Sequence, residues 1–182
     1  MDDVAALIDA SGSRSVTLIA HDWGAVIAWH FAMRRIRPLE RLVILNAPHP
    51  AAAADAFRTW KQLRRSWYAF FFQLPWLPEL LLRAGNYRAI GEGMRRTSVH
   101  PERFPDDALD VFREAAANPG ALTGMSTYCR AFLRGGGALR QGRLGHPVID
   151  TPTLMLWGEH DVALTLETTH GTDRYVSDLT FR

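Results

Sequence analysis

At 182 residues with 47% hydrophobic content, the chain is long enough for one globular domain with a real core, or a core plus a small second lobe. A formal charge of +2, from 21 basic and 19 acidic residues, argues against nucleic acid as a partner, and the scattered pairs Arg34-Arg35, Arg64-Arg65 and Arg95-Arg96 read as solvated surface. The single cysteine, Cys129, excludes an internal disulfide and fits a cytoplasmic location, and the acidic start M-D-D-V-A-A-L-I-D-A lacks the basic head of a secretory signal.

Residues 2–10 place Val4, Leu7 and Ile8 at helical spacing, and Ser11-Gly12-Ser13 stops that helix. S-V-T-L-I-A, from Ser15 to Ala20, is apolar and β-branched nearly throughout, which predicts a central parallel strand buried on both faces. Gly24 to Arg35 carries Val26, Ile27, Trp29, His30, Phe31 and Met33, with basic residues gathered where a helix dipole favours them. Pro38 ends that region, and R-L-V-I-L-N, from Arg41 to Asn46, predicts a second buried strand.

From Pro48 to about Pro147 the pattern turns aromatic and helical, too long for a loop, and reads as a helical lobe (residues 49–147) inserted over the strand ends. Within it, Ala69 to Leu82 is too short to span a bilayer and is broken by Pro75, Pro78 and Glu79, so no integral membrane segment is expected. A buried lid segment and an interfacial membrane patch both remain open there. The glycine-rich Arg134 to Gly145 has neither a dinucleotide fingerprint nor a phosphate-loop lysine and reads as a flexible return linker. T-L-M-L-W, from Thr153 to Trp157, is introduced by Pro152, closed by Gly158, and predicts a third strand. Residues 1–48 and 148–182 therefore predict an α/β core with an open parallel sheet, its functional residues just beyond the carboxyl ends of the strands. Neither a metal ion nor another cofactor is expected.

Ala20-His21-Asp22-Trp23-Gly24 fits the small-x-nucleophile-x-small pattern of a nucleophile elbow, a strand-to-helix turn whose tightness calls for small residues two places either side. Asp22 stands at its centre, either as the helix N-cap or as a nucleophile. An ionised carboxylate needs no base to displace a leaving group from saturated carbon, and the product is an ester of the enzyme. Water must then attack the ester carbonyl, which calls for a histidine base, a second carboxylate to orient it, and backbone amides for the oxyanion. The amide of Trp23 is placed to be one such donor, and Asp161, in L-W-G-E-H-D just past the third strand, is the candidate second carboxylate, with Glu159 competing.

Together, A-H-D-W-G-A-V-I-A-W-H-F-A, L-N-A-P-H-P, F-F-Q-L-P-W-L-P-E, N-P-G-A-L-T-G and T-P-T-L-M-L-W-G-E-H-D resemble the epoxide hydrolases of the α/β-hydrolase fold over essentially the whole chain. The resemblance implies a partial α/β-hydrolase parallel sheet with an inserted helical cap, Asp22 as nucleophile, Asp161 as the acid of the relay, and a small epoxide opened to a diol. The Trp- and Phe-rich cap suggests an apolar substrate. Two cap tyrosines hold the epoxide oxygen in that family. The first matches Tyr68, five residues before Gln73; at the second, this chain has Cys129-Arg130, with Tyr128 one place earlier. A one-residue shift on a helix turns a side chain by about 100°, and a thiol is a weaker donor than a phenol. Cys129 is expected as a small buried side chain, and epoxide opening as impaired or redirected to another substrate class. Trp23, Tyr128 and Cys129 are the expected substrate-lining residues.

The resemblance also implies a catalytic histidine after a further strand, yet V-S-D-L-T-F-R stops as that strand begins, and His170 lies too close to Asp161, within a helix expected between the last two strands. No His-Gly-x-Pro oxyanion turn precedes the first helix. The chain thus reads as truncated at both ends, with an unpaired apolar sheet edge and incomplete machinery. Two alternatives stay open: a haloalkane dehalogenase-like hydrolase, in which the Trp23 indole N–H holds a leaving halide, and an inactive remnant or binding scaffold. Oligomeric state is not specified by the sequence.

Overall fold

Four short apolar runs become strands, and all pair in parallel. In this computed structural model the backbone is described for residues 1–182 and the side chains for all but residues 137 and 138. The chain divides into two units, Met1–Arg65 with Gln141–Arg182, and Ser66–Arg140. The first unit runs α1 (Asp2–Ala10), β1 (Val16–His21), α2 (Asp22–Met33), β2 (Leu39–Leu45) and α3 (Trp60–Arg65), and later β3 (Thr153–Leu156) and β4 (Leu179–Phe181). The sheet order is β1-β2-β3-β4, with Ile19 beside Val43, Val43 beside Leu154, and Leu154 beside Thr180. A parallel neighbour needs a crossover, which α2 supplies between β1 and β2.

α2 packs on β1 and β2, and its Ala25, Ala28 and Trp29 join Leu42, Ile44, Met155, Trp157 and Val176 in one core cluster. The Trp29 indole N–H donates to the Ala47 carbonyl at 3.1 Å, so this fully buried ring keeps its donor satisfied. β1 differs from expectation. It alternates rather than being buried on both faces: Leu18 and Ala20 pack on the core, while Thr17 and His21 are exposed and Ile19 is 66% exposed. A strand is buried twice over only when both sheet faces are covered, and the helix packed on β1 covers one.

Two further elements depart from the sequence reading. Between β3 and β4 the chain forms 3₁₀ turns at Leu166–Thr169 and Thr172–Arg174 in place of a helix. The hydroxyls of Thr168, Thr169 and Thr172 each donate to a carbonyl three residues back, at 2.6, 2.8 and 2.7 Å, a local pairing that competes with the α-helix ladder. Where glycines suggest a linker, α8 (Gly137–Arg143) forms, carried by the helix-favouring Leu139, Arg140 and Gln141. Arg34 is not mere solvated surface either. Its guanidinium donates to the carbonyls of Leu144 and Gly145 at 3.2 and 3.0 Å and to Gln141 Oε1 at 3.3 Å.

The second unit holds α4 (Trp67–Phe71), α5 (Leu77–Thr97), α6 (Asp106–Ala117) and α7 (Ala121–Arg134). α5, α6 and α7 pack on one another around Leu109, Leu122 and Cys129. α5 is interrupted at Ala84–Tyr87, where Gly85, Asn86 and Tyr87 take φ of 59°, 57° and 60°. Arg130 grips Glu79 through a two-pronged ion pair (2.5 and 3.0 Å) and donates to the carbonyls of Phe72 and Leu74 at 2.9 Å each, tying α7 to the start of α5. The guanidinium holds the Glu79 carboxyl below its ordinary range. The apolar run around it is more open than a buried lid segment: Phe70, Trp76 and Leu80 are each more than half exposed. No helix among the described residues is long and apolar enough to cross a membrane.

Burial separates two isoleucines of neighbouring strands. Ile44→Ala, at a fully buried position, is expected to cost about 2–5 kcal/mol in urea unfolding; Ile19→Thr, on the open face, should stay within about 0.5 kcal/mol.

Candidate active site

β1 arrives extended at His21, with φ −131° and ψ 150°, and Asp22 turns the chain sharply with φ 51°. That left-handed conformation costs a residue other than glycine about 1–2 kcal/mol, least for Asp and Asn. The turn starts α2 directly from the strand and leaves the Asp22 carboxylate exposed in the first helical turn, where the helix dipole favours negative charge. The cap position belongs to His21, and no side chain caps this helix, so the N-cap alternative for Asp22 is not what forms. The half-buried Trp23 follows in the first turn of α2. One expectation fails: a Cβ at Gly24 would meet no atom within 4 Å, so no described residue imposes smallness there.

β2 ends in a second left-handed residue, Asn46, with φ 45°. Its amide donates to the Leu156 carbonyl of β3 at 3.0 Å. Its side chain accepts the Gly158 N–H at 3.3 Å and donates through Nδ2 to Asp161 Oδ2 at 2.6 Å. Asp161 is half-buried. Its other oxygen accepts the amides of Ala163 and Leu164, both at 2.8 Å. Three donors therefore fix the Asp161 carboxylate, whereas the competing Glu159 is exposed. The parallel register sets His21 beside Leu45, so Asp22 and Asn46 follow at adjacent strand ends. Asp22, Asn46 and Asp161 thus share the carboxyl edge of the sheet.

The loop bearing Asp161 is held from α3. Buried Gln62 donates to the Ala163 carbonyl at 2.8 Å and accepts the Thr165 amide at 3.0 Å, Arg65 donates to the Asp161 carbonyl at 2.7 Å, and Lys61 pairs with Glu167. The sequence assigns no role to Asn46 or Gln62, and Arg65, read there as solvated surface, is instead half-buried and bonded to this loop. For Asn46 a signal existed, an asparagine ending a buried strand; for α3 there was none, since its partners lie about a hundred residues away. Among the described residues, no histidine bonds the Asp161 carboxylate and no group of three or more His, Cys, Asp or Glu could hold a metal ion.

In the second unit, Tyr68 is half-buried on α4, edge-on to Phe72 at 6.5 Å between ring centroids. On α7, Cys129 is 4% exposed and its carbonyl accepts Gln73 Nε2 at 3.1 Å, while Tyr128 is 48% exposed. The one-residue shift in the Cys129-Arg130 pair thus places phenol and thiol on different sides of the helix.

Residues 1–170 match the profile of the family described as the alpha/beta hydrolase fold. The chain belongs to that family. It is an epoxide hydrolase-like α/β hydrolase, similar to Epoxide hydrolase 2 of Caenorhabditis elegans, 31% identical over 90% of this chain and 46% of the relative. It is likewise similar to Epoxide hydrolase 4 of Homo sapiens, 30% identical over 97% of this chain and 48% of the relative. Its fold superposes on the crystal structure of the Bacillus megaterium epoxide hydrolase in complex with an inhibitor with a TM-score of 0.80 at 27% identity, covering 99% of this chain and 64% of that one. The chain thus spans about half the length of these curated relatives.

If Asn46 is the tie that holds the acid loop, Asn46→Gly, which keeps the left-handed backbone free of strain, should lower stability by about 1–3 kcal/mol. Asn46→Ala should lose about a further 1 kcal/mol; equal losses in thermal unfolding would remove the backbone from the account.

Proposed function

We propose that this hydrolase acts on a small apolar epoxide through an aspartyl ester, with residues 1–48 and 148–182 as the catalytic core and 49–147 as its cap. The observation that carries the proposal is Asp22 at φ 51° on the strand-to-helix junction, an exposed carboxylate where chemistry at a carbonyl would need a hydroxyl. An Asp22 oxygen attacks an epoxide carbon, the ring C–O bond breaks, and its electron pair stays on the epoxide oxygen. Tyr68 gives that oxygen its proton, replacing the water that would otherwise solvate the alkoxide. Water then adds to the ester carbonyl, the Trp23 amide holds the oxyanion, and collapse releases the diol and regenerates the Asp22 carboxylate with one oxygen from water; of that water's two protons, one goes to the departing alkoxide and one restores the Tyr68 phenol.

Asp161 would orient the histidine that activates this water. Its three donors leave the carboxylate one defined direction for a further partner. Trp23, Tyr128 and Cys129 would line the substrate, with the thiol a poorer oxygen ligand than the phenol the resemblance implies. With no histidine bonded to Asp161 among the described residues, ester formation should outrun ester hydrolysis in this chain. The relatives named epoxide hydrolases support this substrate class over a haloalkane.

Incubating residues 1–182 with an apolar aryl epoxide should add the mass of one epoxide to the intact chain, mapped to Asp22 by peptide mass spectrometry. Asp22→Asn should remove the adduct, and Tyr68→Phe should slow its formation by about 10²-fold. Labelling at another residue would overturn Asp22 as nucleophile, and neither adduct nor diol would favour the binding scaffold.

A further inference from the structure

The first unit contains a cluster of histidines for which the proposed chemistry has no use. His30 lies on α2 and Arg34 one turn on, at the cap that ends it; His49 follows β2, and His146 sits on the return segment before β3. His49 is fully buried; its ring stacks on Tyr175 at 4.7 Å with 9° between planes, and meets Trp29 and His146 edge-on at 5.2 and 6.0 Å. His30 is buried as well, and His30 Nδ1, His49 Nε2 and Arg34 Nε are buried with no hydrogen-bond partner among the described residues. His49 Nδ1 accepts the Ala51 amide at 3.3 Å. That bond requires a neutral ring with its proton on Nε2.

Arg34 connects this cluster to the return segment, for it is the residue whose guanidinium holds Gln141, Leu144 and Gly145. Apart from the rings of Trp29 and Tyr175, the groups facing each imidazole are other cations or would-be cations. His30 faces Arg34 from its own helix and His146 from the return segment; His49 faces His146, His30 and the Tyr175 ring; His146 faces Arg34 and Tyr175. Protonation therefore adds positive charge to a buried site that already holds one, and at His49 it also removes the acceptor for Ala51. Burial, with repulsion by these neighbours, pushes His30 down to about 4 and His49 to about 3, and lowers His146.

We propose that the cluster is an acid-released latch: proton uptake by His30, His49 and His146 sets imidazolium charge against Arg34 and frees residues 141–146 from α2 while the sheet stays folded. The sign follows from linkage. A histidine held neutral in the closed state and free to protonate near 6.5 in the open one costs stability as pH falls from about 6.5 towards 4, and nothing above it. Release of the segment is the smallest opening that admits solvent here, because Arg34 side-chain bonds hold it and sheet pairing does not.

Hydrogen exchange of the full chain at pH 7.5 and pH 5.0, corrected for intrinsic rates, tests this. A peptide spanning 140–149 should lose protection by about 30-fold for each imidazole that opening solvates, while a peptide from β2 keeps its own. Replacing His146 with Asn should reduce the loss, and Arg34→Met should leave the segment open at both pH values. Unchanged protection at 140–149, an equal loss in β2, or a loss undiminished by His30→Gln combined with His146→Asn would each overturn the latch. Should the variants not fold, the two wild-type peptides alone decide it.

Discussion

Two left-handed residues at neighbouring strand ends, Asp22 and Asn46, govern how this chain arranges its chemistry. Parallel pairing brings His21 level with Leu45, so both turns fall at the same height of the sheet. At the first, the chain passes from strand to helix without a loop and presents a carboxylate at a helix start. At the second, the left-handed Asn46 bonds Gly158 and Asp161 through its amide side chain, just past the end of β3. Moving either residue out of register by one place would turn its side chain to the other face, because strand side chains alternate.

Support for the second turn comes from outside the sheet. Gln62 and Arg65 on α3 bond the backbone around Asp161, and the carboxylate binds two amides of its own loop. Each contact is modest alone, but together they leave the loop few alternatives. The first turn has less reinforcement. No side chain caps α2, a Cβ would fit at Gly24, and one face of β1 is open, with Ile19 in solvent. The elbow therefore depends on α2, whose Ala25, Ala28 and Trp29 are locked in the core.

Electrostatics divides the α/β unit into two regions. The carboxyl edge of the sheet holds Asp22, exposed at a helix start, and Asp161, with three donors aimed at it, a setting that tolerates charge. Around His49 the reverse holds, with imidazoles packed among aromatic rings and a guanidinium, kept neutral by burial. The first region suits charge that develops during a reaction; the second resists charge until the chain opens.

Much of the fold was legible in the residues themselves. Apolar β-branched runs mark the strands, the 3.6-residue pattern marks α2, and Asp22 between small residues marks the elbow, because these are local periodicities and turn requirements. The position of Asp161 just past a strand was legible too. What the sequence could not decide was which faces are covered and what distant partners do. Ile19 belongs to an apolar strand whichever way its face looks, the threonines before β4 choose 3₁₀ turns through hydroxyl bonds, and Asn46, Gln62 and Arg65 gain their roles from residues about a hundred positions away. Local propensity is written in neighbours along the chain; burial and long-range hydrogen bonding exist only once the sheet has brought its strand ends together.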